Sequence, residues 1–481
     1  MSGAAAAAGA PHAGHAGTVS TATPSVAGAE AAAGGGGTTQ AMQSAGTSGQ
    51  AGVAGAAGAQ DPSDPLDNSS DPNDIALDPA QWQPYPEVAY PDDNPYSAEK
   101  ALLGKALFWD EQLSSDNTVA CGTCHRPAAG GSDPRPALPD YLGHPGPDNM
   151  RGTPDDPHGS PGIAACQEAD AGGSTSPLMD ETFHSEPRLL FRRSLSTLDA
   201  MFSQSMFWDA RVGQVFLDPV SGDELIAAGA ALEAQAVHPI LNASEMACEG
   251  RTWTSVVDKL KSSQPLALAS QLPADLQEAQ SRAPTYAPLF EAAFGDGALS
   301  PARIAMALAT YERTLTANQT PWDRWRDGDP SAMSDQEKRG FQAFVNKGNC
   351  MCCHTPPLFA GMQLFDDGFH ERSFDGGAAQ IGGMPGEHEN PQFRTVSIRN
   401  AGLREPAGLL HDGLAPGNSL EDLIAAYNEP PLHSVSVCRR ALGLSAEEQS
   451  DLVAFVRSAL SDPRAAQELP PFDRPKLASE P

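Results

Sequence analysis

Cys121-Gly-Thr-Cys124-His125 and Cys350-Met-Cys-Cys353-His354 are the two stretches that decide how this chain is read. In each, two thiols stand three residues apart on one helical turn and an imidazole follows at once. Thiols so placed reach the two vinyl groups of one porphyrin, and the histidine comes over the iron as its proximal ligand. The spacing predicts two covalently bound haem c groups, one on Cys121, Cys124 and His125 and one on Cys350, Cys353 and His354. A zinc site would need both thiol pairs around one metal, whereas more than two hundred residues separate them here. A redox dithiol would follow a strand in an α/β pattern, and no such pattern precedes either pair. Four of the eight cysteines remain: Cys166, Cys248, Cys352 and Cys438. In an oxidising compartment they suit two disulfides. Cys166 with Cys248 and Cys352 with Cys438 is the expected pairing, with free buried thiols as the alternative.

Outward from the motifs, the pattern is mainly helical. Ser97 can cap a helix whose apolar face carries Leu102, Leu103, Leu107 and Phe108, just before the first motif. Ser334-Asp-Gln-Glu337 is a capping box that opens a helix with Phe341, Phe344 and Val345 inward, just before the second. Ser300 and Pro301 start a helix with Ile304, Leu308, Tyr311 and Leu315 on one face. Ser445-Ala-Glu-Glu448 opens a terminal helix with Leu452, Phe455, Val456 and Leu460 inward, and shorter helices are expected over Ala228–Ala236 and Leu420–Tyr427. A helix, the Cys/His motif, irregular loops and a closing helix are how a small haem c domain wraps its cofactor. The expected organisation is an Ala/Gly/Ser-rich disordered tail over 1–60 and an extended Pro/Asp-rich segment over 61–93 anchored by Trp82, Tyr85 and Tyr90. One haem domain is expected over 94–295, a second over 296–464, and a polar tail over 465–481. Residues 126–187 read as one long loop region.

The formal net charge of −31 argues against nucleic acid, which calls for a basic footprint. It suits electrostatic steering of a basic protein partner, or simply a solvated acidic surface. No apolar run is long enough to span a bilayer, and no basic and apolar leader is visible at Met1. Covalent haem attachment nevertheless predicts the periplasm.

Beyond the two motifs, the chain resembles the di-haem cytochrome c peroxidase and MauG-like family from about Asn94 to Leu460. The resemblance is carried by Leu103-Gly-Lys-Ala-Leu-Phe-Trp-Asp110, Phe207-Trp-Asp-Ala-Arg211 and Gln235-Ala-Val-His-Pro-Ile-Leu-Asn-Ala-Ser-Glu245-Met. Ala307-Leu-Ala-Thr-Tyr-Glu-Arg-Thr-Leu315, Phe393-Arg-Thr-Val-Ser-Ile-Arg399-Asn400 and His411-Asp-Gly413 complete it. It implies that the first haem is the peroxide site and that the second feeds it electrons. It further implies Glu245 as the distal acid–base residue, with Gln235 ten residues earlier as its pocket neighbour, and Trp208 as an aromatic relay between the haems. Arg211, Arg399 and His411 would line haem propionates or the packing shell. Hydrogen peroxide and a small electron-donor cytochrome c or copper protein are the implied partners, and a homodimer is left open.

The chain departs from the family at several points. Tyr427 stands where peroxidases place a methionine as sixth ligand of the second haem, as in MauG-like members. Phenolate favours the ferric iron that methionine disfavours. Met362 and Met384 are the rival ligands. Arg193 stands where the family often has a calcium-binding Asn, which leaves calcium open. The long loop leaves the switchable distal histidine among His184, His144 and His158. Three functions follow: a peroxidase, a MauG-like oxidase of a protein substrate, or an electron-transfer cytochrome without catalysis.

Overall fold

A computed structural model describes residues 77–481, apart from 139–143, 145–147, 151–155, 157–158, 169–173, 367, 370–374, 376, 379–390, 432–437 and 481. The expected tail over 1–60 and the first part of the extended segment lie outside the described residues, as do His158 and Met384.

Helices dominate, and the strands among the described residues form only two-stranded antiparallel pairs. Two hydrophobic cores organise them. In the first, helix Ala98–Phe108 crosses helix Pro301–Glu312. Ser97 Oγ accepts the Lys100 N–H at 3.1 Å and Ser300 Oγ accepts the Arg303 N–H at 3.3 Å, so both expected caps form. Leu103, Leu107 and Phe108 pack in one cluster with Ile304, Leu308 and Tyr311. A side chain at Gly104 would overlap the Ala307 carbonyl, so glycine sets how closely the two helices cross.

The second core repeats the device. Helix Asp335–Val345 starts at the Ser334/Glu337 capping box and crosses helix Ala446–Ala454, which starts at the Ser445/Glu448 box. There a side chain at Gly340 would overlap the Asp451 carbonyl. Each Cys/His motif thus follows a helix that is crossed, at a glycine, by a later helix.

Packing does not divide the chain at 295/296. The Pro301–Glu312 helix belongs to the first core because its apolar face meets Leu103 and Leu107. The expected polar tail is also part of that core: Ala465, Phe472 and Leu477 are buried in it. The Ala478 and Ser479 N–H groups donate to the Glu111 carboxylate at 2.8 and 3.0 Å, which ties down the chain end. From residue 77 the extended segment lies across both cores. Trp82 packs on Phe341, with ring centroids 5.0 Å apart, and the Tyr85 hydroxyl donates to Asp199 at 2.5 Å.

The 126–187 region is not wholly irregular. Strand Pro161–Ala164 pairs with Pro187–Leu189, and Cys166–Glu168 pairs with Thr175–Pro177. Disulfides join Cys166 to Cys248 and Cys352 to Cys438, as paired in the sequence reading.

Candidate active site

The four motif cysteines stay outside the disulfides, and each motif opens onto its own cavity. The first, about 540 Å³, is lined by Cys121, Cys124 and His125; the second, about 340 Å³, by Cys350, Cys353 and His354. Both volumes are in the range of cofactor sites. His125 Nδ1 lies 2.9 Å from the Leu195 carbonyl and 3.2 Å from that of Gly131. His354 Nδ1 lies 3.1 Å from the Phe359 carbonyl. A carbonyl can only accept, so the proton is on Nδ1 and Nε2 keeps its lone pair for a metal. Burial lowers the pKa of both imidazoles, that of His354 to about 4, so both are neutral as ligation requires. Thiols, imidazole and cavity therefore fit one haem c at each motif.

Above the first motif the sequence folds to bring Gln235 and Glu245 to the same cavity. Helix Ala231–Ala236 presents Leu232 and Gln235, and Pro239 follows in a single 3₁₀ turn. Asn242 then organises the next turn. Its carbonyl accepts the N–H of Glu245, Met246 and Ala247, its Oδ1 accepts Ser244 N–H at 2.9 Å, and its Nδ2 donates to Glu245 Oε1 at 2.9 Å. Burial raises the Glu245 pKa from 4.5 to about 7, against the smaller opposing effects of Arg211 and the Asn242 hydrogen bond. Arg211 also lines this cavity, pairs with Asp209 at 2.8 Å and lies over the Phe207 ring at 3.6 Å.

Trp208 lines both cavities. Phe207 and Ala210 on either side have φ of 64° and 59°, a conformation that ordinary side chains rarely adopt. Hydrogen bonds hold that turn. Trp208 Nε1 donates to the Arg193 carbonyl and the Trp208 carbonyl accepts the Arg394 N–H, both at 2.8 Å. The indole is therefore tied to the Arg193 backbone, and the Trp208 backbone to that of Arg394. His411 lines the second cavity, 6.3 Å from Trp208 and stacked on Phe393 at 3.8 Å between ring centroids.

Tyr427 lines the second cavity with His354, on helix Leu420–Asn428. Met362 is 77% exposed and lies outside that cavity's lining. Of the distal-histidine candidates, His184 is exposed and His144 packs on Phe183 at 4.7 Å. Neither belongs to the described lining of the first cavity. Arg399 lines neither cavity. It is fully buried, donates to the carbonyls of Ala317 and Pro357, and pairs with Asp323 and Asp199, which makes it a packing residue.

One group was missed in the sequence. Glu312 lines the first cavity one helical turn beyond Leu308, and burial raises its pKa to about 8, assisted by the negative charge of Glu233. The spacing that puts Leu308 on the inner face puts Glu312 there too, so the apolar stripe itself was the signal.

The family model of the di-haem cytochrome c peroxidases matches residues 98–331. The methylamine utilization protein MauG of Methylophilus methylotrophus is 30% identical over 377 residues, covering 77% of this chain and 85% of that protein. The cytochrome-c peroxidase IdrP1 of Denitromonas iodatirespirans is 26% identical, covering 82% of this chain and 89% of that one. The cytochrome c551 peroxidase of Pseudomonas aeruginosa is 24% identical, covering 79% and 84%. A crystal structure of a MauG-like protein associated with microbial copper homeostasis shares the fold, with a TM-score of 0.52 at 20% identity, over 81% of this chain and 96% of that one. Two Cys-x-x-Cys-His motifs, each with a haem-sized cavity, match what that family's name requires, and this chain belongs to the di-haem cytochrome c peroxidase family.

Proposed function

We propose that this protein reduces hydrogen peroxide to water at the first cavity, with electrons passed from a small c-type cytochrome or copper protein through the second. The observation that carries the reading is the convergence of Gln235 and Glu245 on the cavity of Cys121, Cys124 and His125, with Trp208 shared between the two cavities. When bound, haem supplies the iron that coordinates peroxide and the two-electron redox chemistry. Glu245 moves the proton. Its carboxylate accepts the proton of the inner peroxide oxygen and, as carboxylic acid, delivers it to the outer one as the O–O bond breaks. Two electrons from the donor protein and two further protons from solvent complete two waters. A pKa of about 7 suits both halves of that transfer. Gln235 offers an amide to orient the peroxide, and the fixed indole of Trp208 provides an aromatic step between the sites.

The test is steady-state oxidation of a reduced c-type cytochrome by peroxide. Wild-type holoprotein is expected to turn over at least a hundredfold faster than Glu245→Ala, an order of magnitude drawn from general acid–base catalysis; equal rates overturn the reading.

Tyr427 favours a second reading, a MauG-like oxidase acting on a protein side chain. As sixth ligand its phenolate would stabilise ferric iron at the second site, where an electron reservoir needs the ferrous state within reach. A Tyr427→Phe holoprotein is then expected to lose the low-spin spectrum of its second haem, and an unchanged spectrum removes this reading.

Thioether attachment and two disulfides support a periplasmic location. No helix among the described residues is long and apolar enough to cross a membrane. Calcium has no part in this proposal. The buried Arg193 guanidinium donates to the Asp133 carbonyl at 2.7 Å and would repel a second cation beside it. A homodimer is compatible with the reading, and light scattering of the holoprotein checks it.

A further inference from the structure

Arg439 is the residue on which three separate features of the second cavity meet. Its guanidinium donates to the carbonyls of Ala426 at 3.0 Å, Tyr427 at 2.9 Å and Glu429 at 3.1 Å. The first two belong to the last turn of helix Leu420–Asn428, whose C-cap Glu429 N–H also donates to the Ala426 carbonyl. The same group lies over the Tyr427 ring, 4.8 Å from its centroid, and 5.4 Å from that of Phe369. Phe369 in turn packs edge-on against Tyr427 at 4.8 Å. The phenol is thus held by a cation and by an aromatic edge, and its own backbone carbonyl is bound to that same cation.

The neighbouring residue, Cys438, is disulfide-bonded to Cys352, which sits inside the second haem-attachment motif. The Cys438 carbonyl also accepts the Asn349 side-chain amide at 3.2 Å, one residue before Cys350. His354 closes the same turn, its N–H donating to the Cys350 carbonyl at 2.8 Å. One short stretch, Cys438-Arg439, therefore links the segment carrying the proximal imidazole to Tyr427 on helix Leu420–Asn428.

We infer that Arg439, strapped to the haem-attachment segment through Cys352–Cys438, is a positioning residue that fixes the Tyr427 phenol relative to His354. The inference rests on the reading of Tyr427 as the ligand of the second haem. Arginine is required because only its planar fork can donate to several carbonyls while lying flat on a ring; lysine keeps the charge and loses the fork.

The experiment is electron paramagnetic resonance of ferric holoprotein for wild type, Arg439→Gln, Arg439→Lys and Tyr427→Phe, with haem content measured for each. Wild type is expected to give one narrow low-spin signal from the second haem. Arg439→Gln is expected to broaden or split it, or convert part of it to high spin, at unchanged haem content. Arg439→Lys is expected to do the same, since charge alone does not position the ring, and it carries the test should Arg439→Gln lose haem. A wild-type signal in either folded Arg439 variant, alongside an altered signal in Tyr427→Phe, overturns the role of Arg439 and leaves the ligand standing. A wild-type signal in Tyr427→Phe overturns the ligand itself, and the inference with it.

Discussion

A glutamic acid ordinarily gives up its proton near pH 4.5, and burial beside the first haem cavity holds that of Glu245 to about 7. The folded state therefore binds this proton more tightly than the unfolded chain. Between pH 4.5 and 7 the folded form carries more protons, so this residue's contribution to stability falls as pH rises through that window. Glu245→Gln is expected to flatten this fall in urea titrations at successive pH values. It is also expected to lower peroxide turnover by roughly 10²- to 10⁴-fold, the usual worth of a positioned acid–base group. A variant with wild-type turnover would show that Glu245 moves no proton in the reaction. Little of this was legible from residue type alone: an isolated glutamate reads as a surface group, and only the motif from Gln235 to Glu245 pointed inward. Tyr427 came from the family resemblance too, by its position beyond His411-Asp-Gly413. Glu312 escaped because a carboxyl within an apolar stripe is read as an interruption of the stripe rather than as a cavity wall.

At the scale of elements, the loop carrying Glu245 is placed by what presses on it. Gly162, in strand Pro161–Ala164, sits so close that a side chain there would overlap the Ser244 carbonyl and crowd the Glu245 backbone. Behind the loop, Arg251 donates to the carbonyls of Met246 at 2.7 Å and Ile240 at 3.1 Å, and Cys248 is bonded to Cys166. Gly162→Ala is expected to keep both haems while cutting peroxide turnover at least tenfold, because a displacement near 1 Å is costly in a preorganised site. Haem content and turnover measured on one preparation decide it, and unchanged turnover would show that the contact does not place Glu245. The helices that start after Ser300, Ser334 and Ser445 were legible in sequence, whereas helix Pro321–Arg326 was not, although Pro stands at its first position. Helix Trp253–Ser262 was not, because its capping box pairs Thr252 with Ser255 in place of an acidic partner. Helix Ala274–Arg282 was missed because it starts after Pro273 with no side-chain cap. Strands of two to four residues are too short to display an alternating pattern.

For the whole molecule, the sequence pattern located both Cys/His motifs but not which distant helices pack around each. The Pro301–Glu312 helix and the chain end pack into the first core although they follow it far along the chain, and no local periodicity records which distant helix a face will meet. Net charge is legible at this scale and has a kinetic consequence. A chain of formal charge −31 attracts a basic electron donor over distances comparable to the Debye length. With a basic c-type cytochrome as donor, kcat/KM is expected to fall several-fold as ionic strength rises from about 10 to 150 mM, where that length shortens from about 30 to 8 Å. An unchanged value would show that charge does not steer this encounter.

The account's central claim is that the two haems are unequal, the first open to peroxide beneath Glu245 and the second closed by an internal ligand. Electron paramagnetic resonance of the ferric holoprotein, before and after addition of cyanide, tests it most directly. The account predicts one high-spin signal that cyanide converts to low spin and one low-spin signal that cyanide leaves unchanged, with the high-spin signal absent from a His125→Ala protein that retains the second haem. Two low-spin signals, both indifferent to cyanide, would contradict it.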